Sequence, residues 1–344
     1  MTTGTAAIGI VAHLDGSGST TFLLTIPALL PLYRALGISR YILITIVIVA
    51  LAASVMNMVP WAGPLGRAGA VIAQEPSDIW LRLLPIQGVA VVLVLVVAAG
   101  LGLQRRRRIA ARGAATADVE ASQAQQDEER REEGYSYRTG TACTVANVAV
   151  VLVALVILLA GLLPPAPTFL IATTLALLIN FPDSHSQSKV LRRHAPNALS
   201  MAGIIIAAAM FLGVLNETGM LEQIALSLVS VLPAAVGPYL HVIVRLLGVP
   251  LNLLTSTDAY YFSVLPIVQE TAASFGVSGM ATALALIIGN VIGTFVSPFS
   301  PALWLALGLA GGANMGRYIK LAVPIAWAFS AALVLAAFAF SMLG

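Results

Sequence analysis

The sequence predicts an all-α polytopic membrane protein with inverted-topology repeats, re-entrant hairpins and broken helices. Of the 344 residues, 59% are hydrophobic and 10% are charged, whereas an average soluble domain is about 25% charged. The apolar runs are long and unbroken, which favours helices over the short alternating strands of a barrel. One motif also occurs twice, 239 residues apart. This composition argues against a soluble enzyme, a disulfide scaffold and a disordered chain, and the net charge of +3 is too small to indicate a nucleic-acid partner.

Three charge-free stretches are long enough to cross a bilayer, which takes about 20 apolar residues. They are Leu83–Leu103, Ala142–Leu163 and Leu321–Leu343. The other apolar stretches are shorter or are interrupted by Gly, Pro, Ser and Thr. The predicted organisation is two repeats separated by a charged loop at 104–141. The first repeat, at 1–103, has a hairpin at 1–33, a broken helix at 41–75 and a transmembrane helix at 83–103. The second repeat, at 142–344, has a hairpin at 236–272, a broken helix at 279–313 and a last helix at 321–343.

The loop at 104–141 sets the predicted orientation. It opens with four consecutive arginines and contains DEERREE at 127–133, a composition typical of a solvated linker. If the loop is cytoplasmic, its eight basic residues and seven more in short turns lie on the cytoplasmic side, which is fifteen of the 18 Lys and Arg. This orientation satisfies the positive-inside rule and leaves only Arg67, Arg82 and Arg245 elsewhere.

The repeated motif is LDGSGSTTFLLTIPALLPLYRALGIS at 14–39 and LLTSTDAYYFSVLPIVQETAASFGVS at 253–278. Each copy leads to a proline-containing interruption, NMVPWAGP at 57–64 and FVSPFSP at 295–301. The first copy ends in a turn predicted to be cytoplasmic and the second in a turn predicted to be external. Inverted repeats with broken helices are typical of secondary transporters. Because the second repeat starts well before its motif, we expect that about 95 residues of the first repeat are missing at the N-terminus, where no signal peptide is indicated.

The Gly- and Ser-rich stretch at 13–21 is interpreted as part of a re-entrant hairpin, with one arm at about 2–13, a tip at 14–20 and a second arm at 21–33. Non-helical backbone at membrane depth has to line a cavity or be buried in protein. The second arm then presents free N–H groups and its positive dipole end to an anion. An ordinary exposed turn is the alternative. The predicted hydroxyl donors of this tip are Ser17, Ser19, Thr20 and Thr21.

The second copy places Thr255, Ser256, Thr257 and Asp258 at the equivalent tip. Ser-Thr-Asp is also good N-cap chemistry. Capping and substrate binding use the same exposed N–H groups, so the two interpretations are compatible.

The two interruptions are expected to unwind their helices, because proline removes a hydrogen bond and frees carbonyls. Those carbonyls, with Asn57, Ser297 and Ser300, could coordinate a cation or bind a substrate. Asn290, just before the second interruption, is a further possible site residue or bonds across helices. A kink without a ligand is the alternative.

Asp15 and Asp258 are the most informative acids, because an intramembrane carboxylate indicates a functional site. Protonation or a divalent metal would relieve the cost of burying it. Neither tip and neither interruption contains Lys or Arg, which favours a substrate already neutralised by a metal or a proton. Arg245 could pair with Glu270 or reach the substrate, and the ion pair is the favoured interpretation.

Four segments carry a family resemblance: LDGSGSTTFLLTIPALLPLYRALGISR (14–40), MNMVPWAGP (56–64), LTSTDAYYFSVLP (254–266) and GTFVSPFSPA (293–302). With them the chain resembles the citrate–divalent metal:proton symporters, the CitMHS family of the ion transporter superfamily. The resemblance implies an elevator-type homodimer of the bacterial plasma (inner) membrane, with loop 104–141 cytoplasmic. It implies uptake of citrate complexed with Mg²⁺ or Ca²⁺ by proton symport, with no permanently bound cofactor and no enzymatic activity.

The resemblance also implies site residues at the two tips and two interruptions. Asp15 and Asp258 are expected to face the metal or to take the coupling proton. The substrate-binding residues carried over are Ser17, Gly18, Ser19, Thr20, Asn57, Pro60, Ser256, Thr257, Ser297 and Pro298.

Three other interpretations remain open at this point. The chain could be another superfamily carrier, for a dicarboxylate, for arsenite or for sodium/proton exchange. It could be an intramembrane aspartyl protease with Asp15 and Asp258 as a dyad, although the Gly-x-Gly-Asp signature of that class is absent. It could also be a remnant that does not transport.

Overall fold

The computed structural model describes residues 1–14, 18–54, 59–109, 138, 140–159, 162–231, 233 and 236–340. These residues form α-helices with short 3₁₀ and π-helical turns, and they contain no β-strand. The described residues of 1–124 and 212–344 form one compact unit, and those of 125–211 form a second, smaller unit.

The larger unit begins with a helical hairpin whose arms run antiparallel. The His13 ring Nδ1 shares a hydrogen bond with Thr21 Oγ1 at 2.9 Å near the turn, and the Tyr33 hydroxyl donates to Thr5 Oγ1 at 2.9 Å near the open end. The first arm has 11 residues, about 16 Å of helix, which is too short to cross a bilayer. The helices of this half are α1 (Thr2–Ala12), α2 (Gly18–Ala35), α3 (Arg40–Ser54), α4 (Gly63–Ile72) and α5 (Pro76–Ile109).

The smaller unit contains α6 (Thr141–Leu159), α7 (Pro165–Asn180) and the first part of α8 (Ser184–Glu217). The Asn147 and Asn180 side chains exchange two amide hydrogen bonds, of 2.7 and 2.8 Å, between α6 and α7. The basic residues at 189–193, which the charge pattern places in a short turn, lie within α8. Lys and Arg are good helix formers, so a charged segment outside an apolar stretch stays helical.

The rest of the larger unit holds the second hairpin and the second broken helix. The first arm of this hairpin consists of two short helices, the chain turns at residues 255–256, and the second arm is a continuous helical run that contains a π-helical turn. Helix α9 (Met220–Val231) precedes the hairpin. The hairpin itself contains a 3₁₀ turn (Gly237–Tyr239), α10 (Leu240–Leu246), α11 (Gly248–Leu254), α12 (Thr257–Ala259), the π-helical turn (Tyr260–Val264) and α13 (Leu265–Ala273). The broken helix and last helix are α14 (Gly279–Gly289), α15 (Gly293–Val296), α16 (Pro301–Leu309) and α17 (Met315–Ala339).

The helix boundaries repeat with the spacing of the sequence motif. The helix starts at Gly18 and Thr257, at Arg40 and Gly279, and at Pro76 and Met315 are each 239 residues apart. Two turn glycines with the same spacing, Gly37 and Gly276, both adopt the left-handed conformation, at φ 62° and 81°. Glycine adopts this conformation without a Cβ penalty, and it ends helices there. The weak sequence repeat is therefore a structural repeat.

The two copies pack against each other reciprocally. Helix α2 packs against α16, and the corresponding segments of the other copy, 260–264 and α13, pack against α4. Reciprocal contacts of this kind follow from a two-fold relation between the copies. The first halves of the broken helices, α3 and α14, carry the most continuous buried sequence, including Leu43, Ile44 and Ala283–Ile288. A helix that is apolar all round belongs in an interior.

Four helical stretches of the described residues are long and apolar enough to cross a membrane: Pro76–Leu103, Thr141–Leu158, Gly279–Val296 and Met315–Ala339. The α5 boundary differs from the sequence-based expectation at both ends. The helix starts at Pro76 instead of Leu83 and continues six residues past Leu103, through the arginine run. Arginine has a high helix propensity, so the helix continues beyond its apolar part.

An Arg40→Gln variant should be less stable than the wild type by about 1 kcal/mol. The Arg40 guanidinium donates from Nη1 to the carbonyls of Ala310 and Gly311, at 3.1 and 2.7 Å, just beyond the end of α16. A cation there pairs with the negative end of the helix dipole. The measurement is thermal unfolding in detergent, with exposed Arg317→Gln as the matched control. Equal melting temperatures for the two variants would contradict the capping role.

Candidate functional site

The second hairpin tip is a hydroxyl-bearing helix start. Ser256 caps α12, and its Oγ accepts a hydrogen bond from Ala259 N at 3.1 Å. The Thr257 hydroxyl donates to Thr294 Oγ1 at 2.8 Å. The tip thus has the N-cap of the sequence-based interpretation, and it contacts α15 directly.

The second helix break lies against this tip. The Ser297 hydroxyl donates to the Thr255 carbonyl at 3.3 Å and accepts from Phe299 N at 3.2 Å. The carbonyl of Pro298 accepts from the Trp304 indole at 2.9 Å, so one freed carbonyl of the break is already used within the protein. Ser300 is buried at the start of α16.

The first hairpin tip reaches the same place from the other side. A Cβ built on Gly18 would lie 2.7 Å from the Phe295 ring, and Phe22 packs edge-on against that ring with centroids 5.8 Å apart. The Thr21 hydroxyl lies inside the hairpin and holds the two arms together through His13. Ser19 and Thr20 are exposed at this tip. Both tips therefore meet at α15.

Three predicted site residues, Asp15, Ser17 and Asn57, lie outside the described residues. Pro60 is buried in the segment between α3 and α4. Its repeat counterpart Pro298 is half-buried in the second break.

Asn290 forms a buried link between two helices. The Asn252 side-chain amide donates to Asn290 Oδ1, and the two residues are 0% and 3% exposed. A Cβ on Gly293 would lie 2.8 Å from the Asn252 amide nitrogen, so the glycine gives this pair its room. Of the two interpretations offered for Asn290, this contact favours a bond across helices.

A basic residue faces the second tip, contrary to the expectation that the core has acids and no base. Arg67 of α4 pairs with Asp258, with Nε 2.7 Å from Oδ1. Sequence reasoning missed it because the two residues are 191 positions apart. The available signal was that Arg67 was left over after the cytoplasmic basic residues had been assigned.

The predicted pair of Arg245 with Glu270 is wrong, since the ion pairs of the described residues do not include it. Arg245 is fully buried. Its Nη2 donates to the Val334 carbonyl at 3.4 Å, and its guanidinium stacks 4.9 Å over the Phe338 ring. The arm α10 points this side chain toward α17 and away from the acidic residue on α13.

The site brings helix-start N–H groups and hydroxyls together with one carboxylate and one guanidinium. Helix starts and hydroxyls suit an anion, a carboxylate suits a hard cation, and a guanidinium suits a second carboxylate. The arrangement can therefore bind an anionic ligand that carries a cation.

Comparison with known proteins points to one family. The model of the CitMHS family, described as citrate transporter, matches residues 1–289. A citrate transporter of Bacillus subtilis (strain 168) is 33% identical over 332 residues, 96% of this chain and 74% of that protein. A Mg(2+)/citrate complex secondary transporter of the same organism is 33% identical over 338 residues, 98% of this chain and 75% of that protein.

A third relative, the uncharacterized transporter YraO of Bacillus subtilis (strain 168), is 30% identical over 346 residues. Among solved structures, the Alcanivorax borkumensis YdaH transporter superposes with a TM-score of 0.66 at 16% identity, covering 98% of this chain and 78% of that chain. Its structure was described as having an unusual topology. This likeness confirms the predicted fold class.

Proposed function

This chain belongs to the CitMHS citrate transporter family, and we propose that it takes up citrate complexed with Mg²⁺ or Ca²⁺ by proton symport. The observation that carries the proposal is the meeting of the two hairpin tips at α15, beside Asp258 and Arg67. A further support is a relative at 33% identity that is named as a Mg(2+)/citrate complex secondary transporter. The family and the relatives are transporters, so the protease interpretation is set aside.

The hydroxyls and helix starts of the tips are proposed to bind the citrate carboxylates. Ser19 and Thr20 lie in the first turn of α2, and Ser256 and Thr257 lie at the start of the run that continues through α13. The first-turn N–H groups of such helices have no partner within the helix and carry the positive end of the dipole. Ser297 and Ser300 are proposed to shape the cavity from the second break, together with Gly18, Pro60, Pro298 and the undescribed Ser17 and Asn57.

Asp258 is proposed to face the cation of the complex or to take the coupling proton, with the undescribed Asp15 as its counterpart. Its side chain is 33% exposed, so a ligand can reach it. Mg²⁺ and Ca²⁺ both prefer carboxylate and other oxygen ligands. The cation is cargo in this proposal and leaves with the citrate.

We further propose a homodimer in the bacterial inner membrane, with loop 104–141 in the cytoplasm and an elevator movement of the hairpin-containing part. The orientation is supported by contacts between the turn at 34–40, which is predicted to be cytoplasmic, and residues 310–314, which lie just before Arg317 and Lys320, two residues also predicted to be cytoplasmic. Arg40 donates to the Ala310 and Gly311 carbonyls, and the Tyr41 hydroxyl accepts from Asn314 N at 3.2 Å.

Uptake of labelled citrate into proteoliposomes tests the function. We expect uptake with Mg²⁺ or Ca²⁺ present, loss of uptake with a chelator, and stimulation by an inward proton gradient. Unlabelled metal–citrate should compete and succinate should not, and empty liposomes are the control.

Citrate uptake that ignores both metal and protons would overturn the symport proposal and leave a citrate carrier of another kind. Uptake of succinate or arsenite in preference to citrate would favour one of the other carriers of the superfamily. Stimulation by sodium in place of protons would change the coupling ion alone.

A further inference from the structure

We propose that Arg67 binds a carboxylate of the transported anion, and that Asp258 positions the Arg67 guanidinium and receives the cation bound to that anion. This inference rests on the proposed function and adds the residue that supplies the countercharge. It starts from the ion pair between Arg67 Nε and Asp258 Oδ1, 2.7 Å apart, which joins α4 to the second tip.

The pair lies beside the proposed substrate groups. Helix α4 starts directly after the first break, and it packs against the π-helical turn, α13 and α14. Asp258 directly follows Ser256 and Thr257 in the sequence. π-Helical turns occur frequently at functional sites. The side chains of Arg67 and Asp258 are 14% and 33% exposed, so the pair is shielded from most of the solvent and still accessible to a ligand.

The Arg67 guanidinium has further N–H donors besides the one that binds Asp258. The bond to Asp258 uses Nε, and the two Nη groups make no hydrogen bond within the described residues. A guanidinium fork can bind a second carboxylate through two parallel bonds. Gly63 leaves the space for the end of the Arg67 side chain, because a Cβ at that position would be 2.7 Å from Arg67 Nη1.

The two charges together match a metal-complexed polycarboxylate. Free citrate brings only negative charge, which Arg67 attracts and Asp258 repels. A metal–citrate complex presents a cation to Asp258 and a carboxylate to Arg67, so each partner of the resting pair gains a new partner of opposite sign. Specificity of this kind combines an attractive group for the right ligand with a repulsive one for the wrong ligand.

The first test replaces Arg67 with glutamine and measures uptake of Mg²⁺–citrate. We expect KM to rise by about 30-fold, the equivalent of one hydrogen bond to a charged group. Arg67→Lys should recover part of the loss, because lysine keeps the charge without the fork. Arg82→Gln is the matched control, since Arg82 is exposed on α5, and its KM should equal that of the wild type.

The second test replaces Asp258 with asparagine and compares citrate uptake with Mg²⁺ and with a chelator. Removing the repulsive charge should lower the preference for the metal complex by about tenfold or more. Asp78→Asn is the matched control, because Asp78 is exposed in the first turn of α5. A merely structural Asp258 would lower both uptakes equally and leave the preference unchanged, which would overturn its part of the proposal.

A milder variant covers the case in which Arg67→Gln does not fold. Gly63→Ala keeps every charge and displaces only the end of the Arg67 side chain, and we expect KM to rise several-fold with an unchanged melting temperature. If the KM of both variants equals that of the wild type, Arg67 is not the carboxylate partner.

Ligand-dependent thermal stabilisation of the purified protein separates this inference from the proposed function. The probes are Mg²⁺–citrate, free citrate, Mg²⁺ alone and succinate. A wild type stabilised by citrate, with Arg67→Gln stabilised equally, overturns the inference and keeps the function. A wild type that is stabilised by none of the probes and transports none of them overturns both.

Discussion

A Gly289→Ala variant is expected to be less stable than the wild type by about 2 kcal/mol. The added Cβ would lie 2.7 Å from Arg245 Cγ and 2.8 Å from Arg245 Cα. Gly248 faces it, with a Cβ position 2.6 Å from the Gly289 carbonyl oxygen. The backbones of α10–α11 and α14 are therefore in contact where the second hairpin crosses α14. Only small residues allow two backbones to approach so closely.

The first repeat has a corresponding helix crossing with different residues. Its residues at the same spacing are Ala6, Gly9 and Ala50, and a Cβ on Gly9 would be 3.1 Å from Ala50 Cβ. The second repeat has Arg245, Gly248 and Gly289 at these positions. The larger Arg245 is thus matched by a smaller residue opposite it. The double variant with Arg245→Ala and Gly289→Ala has the first repeat's residues at these positions. It removes the contact with Arg245 Cγ and keeps the contacts with the Arg245 backbone, so it should recover part of the stability that Gly289→Ala loses.

Thermal unfolding in detergent measures both expectations. Gly308→Ala is the matched control, because a Cβ at this helical glycine of α16 would meet nothing within 4 Å. Alanine at an unhindered helix position is neutral or stabilising. A Gly289→Ala melting temperature as high as that of Gly308→Ala would show that the crossing has room to relax.

Much of this architecture could be predicted because it is encoded locally. Proline in the two interruptions and Gly-Ser or Ser-Thr at the two tips disrupt helices wherever they occur. The glycine pair at 37 and 276 marks the same left-handed turn in both copies. These signals act over a few residues, so a weak repeat in the sequence was enough to locate the corresponding segments.

The pairings across the chain could not be predicted in this way. Asp258 and Arg67 are 191 residues apart, and Thr257 and Thr294 are 37 apart. Which partners meet depends on the packing of one copy against the other. The rejected pair of Arg245 with Glu270 shows the same limit, because membership of one hairpin does not fix which way its arms face.

A Thr257→Val variant is expected to reduce citrate uptake by about tenfold or more while the protein stays folded. Valine has nearly the shape of threonine, so the change removes the hydroxyl that donates to Thr294 Oγ1 at 2.8 Å and little else. This hydroxyl joins the second tip to α15, where both tips meet. Its loss removes the side-chain link between the second tip and α15, so the N–H groups that the tip offers to the citrate carboxylates are held less firmly in place.

Thr271→Val is the control that separates a site effect from a general cost of losing a hydroxyl. Thr271 is fully buried in α13, and its hydroxyl donates to the Ile267 carbonyl at 2.7 Å within the same helix. That carbonyl keeps its helix hydrogen bond, so uptake should change less than twofold. The first tip cannot replace Thr257, because its counterpart at the same spacing is Gly18, which has no side chain. Equal uptake by the two variants would therefore remove Thr257 from the binding site and leave it a structural role at α15.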